Sequence, residues 1–183
     1  MVSFIGQYEA KVDDKGRLVF PAGFKSLLPP GEGNQRFVIK KNIFEDCLEM
    51  YTCEEWGRQS EELKKKVNFL KKEHAAFWRK YMRDCAQVEL DAKVGRFTIP
   101  KSLLERIGVT KEVVFSGNDY KIEIWAKDKF AASEISDEEY LNIAAKSYIF
   151  FRIHRIALIP QLEMQVRSGR QLSRIPDQSD RLT

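Results

Sequence analysis

The chain has 183 residues, of which 43% are hydrophobic and 32% are charged, so it can bury a core in one or two small domains. Its formal net charge of +4 permits an anionic partner without requiring one. Neither a secretory signal nor an apolar run long enough to cross a bilayer is found, so no membrane partner is expected. The three cysteines lack Cys-x-x-Cys spacing, which favours reduced cytosolic thiols.

The first predicted elements surround a Gly-Arg motif. Residues 1–12 are predicted to form a strand that leads into this motif, and the sequence Asp-Asp-Lys-Gly-Arg-Leu-Val-Phe-Pro follows at 13–21. Because Asp and Gly favour tight turns, Gly16 predicts a hairpin bend or a bulge. Leu18–Phe20 is then expected to pair back against the preceding strand and to end at Pro21, which cannot donate a ladder hydrogen bond. A short helix and a loop at 29–34 come next.

The middle of the chain predicts two strands and a helical hairpin. Residues 37–40 and 47–51 have strand character. Thr52 and Glu55 form a capping-box pattern, so a helix begins near Cys53. A second helix covers about 71–83. Four apolar residues are expected to pack the two helices together: Trp56, Leu63, Phe77 and Tyr81. Leu70 is predicted to lie on the same apolar face as Trp56.

The second half repeats the first. The sequence Asp-Ala-Lys-Val-Gly-Arg-Phe-Thr-Ile-Pro at 91–100 is again preceded by a short strand-like run and followed by a predicted helix and two strands. Asp91 is four residues from Gly95, whereas Asp13 is three from Gly16, so the second motif carries one inserted residue. Two copies are too few for a solenoid and indicate a duplicated half-domain.

The end of the chain is less regular. Residues 136–139 form a second capping-box pattern before a short helix. An apolar run with interspersed basic residues follows at 148–160 and suits packing on the body, a partner groove or an interfacial segment. Residues 167–183 are polar and are predicted to be disordered.

No catalytic chemistry is indicated. The sequence lacks metal-ligand spacing, a nucleophilic motif and a P-loop, so no metal, cofactor or enzymatic activity is predicted. The lysines at 64–66 and 71–72 fit a solvated helix face, with DNA contact as the alternative.

These motifs resemble the MraZ transcriptional regulators, two-copy members of the AbrB/SpoVT swapped-hairpin class. The resemblance covers roughly Phe4 to Ala131. It rests on both Gly-Arg-x-x-x-Pro motifs and their flanks, and on further residues at these positions: Tyr8, Leu48, Tyr51, Glu55, Trp56, 108–114 and 123–125.

The resemblance implies an α+β fold in which two swapped-hairpin halves interlock into one small barrel. The halves would cover 4–52 and 85–130, with a helical hairpin at 53–84. The sequence further predicts a partly disordered C-terminal extension at 131–183, whose part beyond about Ala145 the resemblance does not explain. The resemblance also implies a ring-shaped homo-oligomer in the cytoplasm, associated with the nucleoid. That ring would bind short double-stranded DNA repeats in front of the cell-division and cell-wall gene cluster.

The implied DNA-binding residues are Asp13, Lys15, Arg17, Lys93 and Arg96. Arg can bind phosphate or guanine bidentately, and Lys offers a point charge to phosphate. Asp13 is expected to orient Arg17, whereas the insertion puts the equivalent role of Asp91 in question. Two alternatives remain: a structural or adaptor ring that binds a protein, and an enzyme acting on a nucleotide or wall precursor, which the lack of paired catalytic groups disfavours.

Overall fold

A computed structural model describes residues 2–29 and 35–146, which fall in two compact units, 1–134 and 135–183. Residues 30–34 of the predicted loop at 29–34, and the segments at 148–160 and 167–183, lie outside the described residues. None of the helices described is long and apolar enough to cross a membrane.

The first unit contains strands and helices in mixed order, which confirms the α+β class. Its strands are β1 (Gln7–Lys11), β2 (Arg17–Val19), β3 (Arg36–Lys41), β4 (Cys47–Thr52), β5 (Cys85–Glu89), β6 (Arg96–Thr98), β7 (Glu112–Asn118) and β8 (Lys121–Ala126). Its helices are α1 (Ala22–Lys25), α2 (Cys53–Lys66), α3 (Lys72–Arg83), α4 (Lys101–Arg106) and α5 (Lys127–Ala132). In the second unit, the described helix is α6 (Asp137–Lys146), where Ser136 Oγ accepts from the Glu139 N–H at 3.2 Å.

The two sequence halves exchange strands. The six-stranded antiparallel sheet has the order β1-β7-β8-β4-β3-β5, so the first strand of each half pairs with a strand of the other half. β2 and β6, one from each half, form a separate two-stranded antiparallel sheet, here called the ribbon.

This pairing corrects two predictions. Leu18–Phe20 does not pair back against the strand before its turn, because β2 pairs with β6, where Leu18 lies opposite Phe97. Among the described strands the single closed barrel is also not formed, since β1 and β5 are the two edges of the six-stranded sheet. The physical reason is that a tight turn fixes only where the chain bends, while the burial of Leu18 and Phe97 in a shared core selects the partner strand.

The hydrophobic core includes one face of the ribbon. Leu18 and Phe97 are at most 2% exposed. Phe20, just after β2, has its ring centroid 5.4 Å from that of Phe37 and 6.2 Å from that of Phe97. Because each buried aromatic side chain contributes on the order of 2 kcal/mol, this packing holds the ribbon against the sheet and turns its other face outward.

The face of the sheet opposite this core carries a buried ionic cluster. Glu49 accepts hydrogen bonds from Lys40 Nζ at 2.7 Å and from Lys121 Nζ at 2.6 Å, and all three residues are at least 91% buried. Lys121 also pairs with Glu123 at 3.2 Å. Since side chains alternate along a strand, Glu49 lies on the face opposite its core neighbours in β4.

The helical hairpin packs beside this cluster through aromatic rings. Trp56 of α2 stacks on Tyr81 of α3 at 5.9 Å between centroids, as the sequence predicted. The capping box is half formed, because Glu55 N–H donates to Thr52 Oγ1 while the Glu55 carboxylate binds Arg58 instead of reaching back. The prediction that Leu70 shares the apolar face is wrong, since α2 ends at Lys66 and Leu70 is 97% exposed.

Candidate nucleic-acid interface

The outer face of the ribbon carries two arginines. Arg17 lies opposite Thr98, and Arg96 lies opposite Val19, in the antiparallel register. Because side chains alternate and Leu18 and Phe97 point into the core, these four residues share the outward face. Arg17 and Arg96 are therefore diagonal neighbours across the two strands, with about 7 to 8 Å between their Cα atoms.

The first turn fixes Arg17 through Asp13. Asp13 Oδ1 accepts from the backbone N–H groups of Lys15 and Arg17, each at 2.9 Å. Asp13 Oδ2 accepts from Arg17 Nε at 2.6 Å. Among the described residues, no hydrogen bond is formed by the two terminal nitrogens of the Arg17 guanidinium. Asp13 thus holds one edge of the guanidinium, and the role of orienting Arg17 for a ligand stays a prediction.

The same contacts set the charge state of the turn. The Arg17 backbone N–H is the main cause that lowers the pKa of Asp13 below its ordinary value of 3.8, and the Arg17 side chain and the Lys15 N–H act in the same direction. Asp13 is therefore a carboxylate at neutral pH, which keeps it an acceptor for Arg17.

The second turn is closed by an equivalent backbone hydrogen bond but lacks a bond between its aspartate and its arginine side chain. Asp91 N–H donates to the Arg96 carbonyl at 2.8 Å, just as Asp13 N–H donates to the Arg17 carbonyl at 3.1 Å across one residue fewer. Asp91 Oδ1 accepts from the N–H groups of Lys93 and Val94, at 3.1 and 2.7 Å. Within the described part of the chain, no hydrogen bond or ion pair joins Asp91 to the Arg96 side chain. With the inserted residue, the Asp91 carboxylate binds backbone N–H groups within the turn and not the arginine that follows it.

The lysines of both turns are exposed, at Lys15 and Lys93. All five residues predicted from the sequence therefore lie on the ribbon or in the turns leading into it. The outward positions of Val19 and Thr98 were not predicted as part of this surface, because they depend on the pairing register of β2 with β6. The described residues contain no group of three or more His, Cys, Asp or Glu side chains placed to hold a metal ion.

The glycine of each turn packs against residues of the other sequence half, but the space around the two glycines differs. Both turn glycines have positive φ, +77° at Gly16 and +68° at Gly95. A Cβ on Gly16 would lie 2.7 Å from the Ile99 carbonyl oxygen, whereas a Cβ on Gly95 would make ordinary contacts, with the flexible Lys25 side chain at 3.6 Å and with Phe20 Cβ at 3.9 Å. The first turn is thus packed against backbone that has no freedom to move aside.

We expect Gly16→Ala to destabilise the protein more than Gly95→Ala. Both substitutions place a Cβ in the left-handed region, which costs about 1 to 3 kcal/mol. Gly16→Ala adds the collision with Ile99, so its melting temperature should fall further below wild type. Gly95→Ala is the matched control in a thermal unfolding experiment. Equal losses for the two variants would contradict the tighter packing of the first turn.

Known proteins resemble this chain over most of its length. The family model described as "MraZ protein, putative antitoxin-like" matches residues 3–80 and 82–148. The chain belongs to the MraZ family. A protein of Bacteroides fragilis named "Transcriptional regulator MraZ" is 37% identical over 129 residues, which cover 70% of this chain and 80% of the relative.

Two further MraZ proteins support the same assignment. The "Transcriptional regulator MraZ" of Christiangramia forsetii is 40% identical over 79% of this chain and 92% of its own length. That of Thermoanaerobacter pseudethanolicus is 37% identical over 75% of this chain and 86% of its own length. The MraZ family model matches each sequence half separately, in agreement with the duplication seen in the strand order.

Proposed function

We propose that this MraZ family member is a transcriptional regulator that binds double-stranded promoter DNA through the ribbon. The relatives named as transcriptional regulators support the role in transcription. The observation that carries the proposal is the pair of arginines on the exposed face of a two-stranded antiparallel ribbon. The strand exchange between the halves supports placement in the swapped-hairpin class. A cytoplasmic location in association with the nucleoid is part of the same proposal, because a regulator of transcription acts on the chromosome.

The two-stranded build and the arginine donors of the ribbon suit a DNA groove. The major groove of B-DNA admits a two-stranded β-ribbon, and Arg can bind guanine O6 and N7 bidentately. Arg17 and Arg96 would contact base edges, while Lys15 and Lys93 would bind phosphates beside them. Asp13 would act without touching DNA, because its oxygens are occupied by Lys15 and Arg17.

One ribbon makes too few contacts for tight binding. Each subunit offers two arginines and two lysines at the ribbon, and specific DNA complexes gain affinity from many phosphate contacts. We therefore propose a closed homo-oligomer of more than four subunits, whose ribbons bind repeated DNA elements together. The repeats would lie in front of the cell-division and cell-wall gene cluster.

The test is a binding titration with DNA from upstream of the gene, compared with random duplex of the same length. We expect tighter binding to the upstream DNA, and a steep loss of affinity for both as salt rises, because bound cations release counterions. Light scattering on the same sample should give a mass above four subunits. Binding that is equal for both duplexes and nearly independent of salt would instead favour an adaptor ring that binds a protein.

A further inference from the structure

A groove of 770 Å³ lies where the β3–β4 loop meets α3 and α4. Its apolar lining includes Ile43, Phe77 and Tyr81, and its basic lining includes Lys80, Arg83 and Arg106. This groove is distinct from the ribbon, because none of its lining residues belongs to β2, β6 or the two turns.

Apolar side chains are exposed in and beside this groove. Ile43 is 55% exposed and Phe77 is 41% exposed, while Phe44, the next residue in the β3–β4 loop, is 90% exposed. The loop that presents them is fixed, since Asn42 Oδ1 accepts from the backbone N–H groups of Phe44 at 2.7 Å and Glu45 at 3.0 Å. Exposed apolar side chains grouped in and beside a groove are typical of an interaction surface.

The rim of the groove carries uncompensated positive charge. Arg106 pairs with Asp84. Lys80 and Arg83 are exposed, and neither takes part in an ion pair within residues 2–29 and 35–146. An occupant should therefore combine apolar side chains with at least two carboxylates.

The chain itself contains a segment of this chemistry. The first turn of α6 is acidic, with Asp137, Glu138 and Glu139. The apolar residues that follow are exposed: Tyr140 at 63%, Leu141 at 55% and Ile143 at 53%. An amphipathic helix laid in an apolar groove is a recurrent mode of recognition.

We propose that the groove receives α6 from a second copy of the chain. The proposal rests on the homo-oligomer in the proposed function and names the surfaces that build it. Because the groove and α6 are different surfaces, each copy would use its groove toward one neighbour and its α6 toward the other. Such a heterologous contact generates a ring when its rotation closes.

A charge exchange tests the contact in the full-length protein. One variant reverses the rim, Lys80→Glu with Arg83→Glu, and another reverses the helix, Glu138→Lys with Glu139→Lys. All four residues are exposed, so melting temperatures should stay near wild type. Light scattering should show smaller particles for each variant, with a dissociation constant at least about tenfold higher, because like charges then face each other.

Restoration is the decisive result. A 1:1 mixture of the two variants, or one chain with all four substitutions, should regain the wild-type mass. Lys65→Glu with Lys66→Glu, an equal charge change on exposed residues of α2, should leave the mass unchanged.

Three outcomes would overturn the proposal. An unchanged mass in the rim variant would mean that the groove holds α6 of its own chain, another acidic protein or nothing. Loss of assembly without restoration would exclude α6 as the occupant. A monomeric wild-type protein would refute the homo-oligomer of the proposed function as well. The other two outcomes would overturn the contact between the groove and α6 but not the proposal of a homo-oligomer.

Discussion

Arg17→Ala is expected to nearly abolish binding to the upstream DNA. A bidentate arginine–guanine pair is worth about 1 to 3 kcal/mol of discrimination. In a homo-oligomer the loss repeats at each bound subunit, so two bound ribbons would already lose about 2 to 6 kcal/mol. The dissociation constant should then rise by roughly 30-fold to 10⁴-fold. Random DNA should lose less, because it lacks the base contact.

Arg96→Ala is the matched control on the same face of the ribbon. Asp13 fixes Arg17 before DNA arrives, whereas Arg96 has no such bond to Asp91. Ordering a free arginine costs up to about 2 kcal/mol, so Arg96 should contribute less affinity, and its removal should have the milder effect. An equal or larger loss of DNA affinity for Arg96→Ala would mean that the hydrogen bond from Arg17 to Asp13 does not contribute to binding.

Lys15→Ala separates phosphate contacts from base contacts in the same titration. Lys15 is exposed near Arg17. In the proposed function its side chain binds a phosphate. We expect similar decreases in affinity for upstream and random DNA, and a salt slope smaller by about one for each phosphate that the lysine no longer binds. Light scattering should confirm that every variant keeps the wild-type mass, so that the decreases report DNA binding alone.

Glu49→Gln is expected to destabilise the fold by about 3 to 5 kcal/mol, because it leaves Lys40 buried without a carboxylate and Lys121 with Glu123 as its remaining carboxylate partner. Lys40 is 3% exposed and Lys121 is 9% exposed, so water does not replace the missing partner. This loss is a large part of the roughly 5 to 15 kcal/mol that is typical of a folded protein. Urea unfolding followed by circular dichroism measures it directly.

Glu9→Gln is the matched control for Glu49→Gln. Glu9 pairs with Lys127 at 2.7 Å, but its side chain is 65% exposed. Exposed ion pairs are worth about 0 to 1 kcal/mol, so this variant should unfold near the wild-type midpoint. A similar small effect for Glu49→Gln would show that the buried ionic cluster does not anchor the fold.

The cluster also predicts a pH dependence. Burial by itself raises the pKa of Glu49, but the hydrogen bonds from Lys121 and Lys40 outweigh it and hold the pKa below the ordinary 4.5. A lowered pKa contributes stability that is present above pH 4.5 and is lost as the pH falls through the folded-state value. Wild-type protein should therefore lose stability in acid, and Glu49→Gln should lose this part of the acid response.

At alkaline pH the folding stability changes with pH in the opposite direction. Burial lowers the pKa of Lys121, but Glu49 and Glu123 outweigh it and raise the pKa above the ordinary 10.5. This contribution is fully present below pH 10.5 and is lost as the pH rises through the folded-state value. Thermal unfolding across both ranges tests the two signs separately.

The sequence by itself determined the local elements of this protein. Gly16 and Gly95 mark the turns because they adopt positive φ, and Pro21 and Pro100 follow the strands β2 and β6 because proline cannot extend a ladder. The duplication was also readable, since both halves repeat the same turn chemistry. The ribbon arginines were expected at this surface because the resemblance to MraZ regulators implied a DNA-binding role for them, and each directly follows its turn glycine.

Only the tertiary structure decided which strands pair. Turn chemistry is local, whereas the pairing of Leu18 with Phe97 depends on burial between residues far apart in the chain. That long-range pairing placed Arg17 and Arg96 on one outward face and left the six-stranded sheet with two edges instead of a closed barrel. It also buried Glu49 with Lys121 across β4 and β8, a charge pair that the sequence presents as two ordinary surface residues.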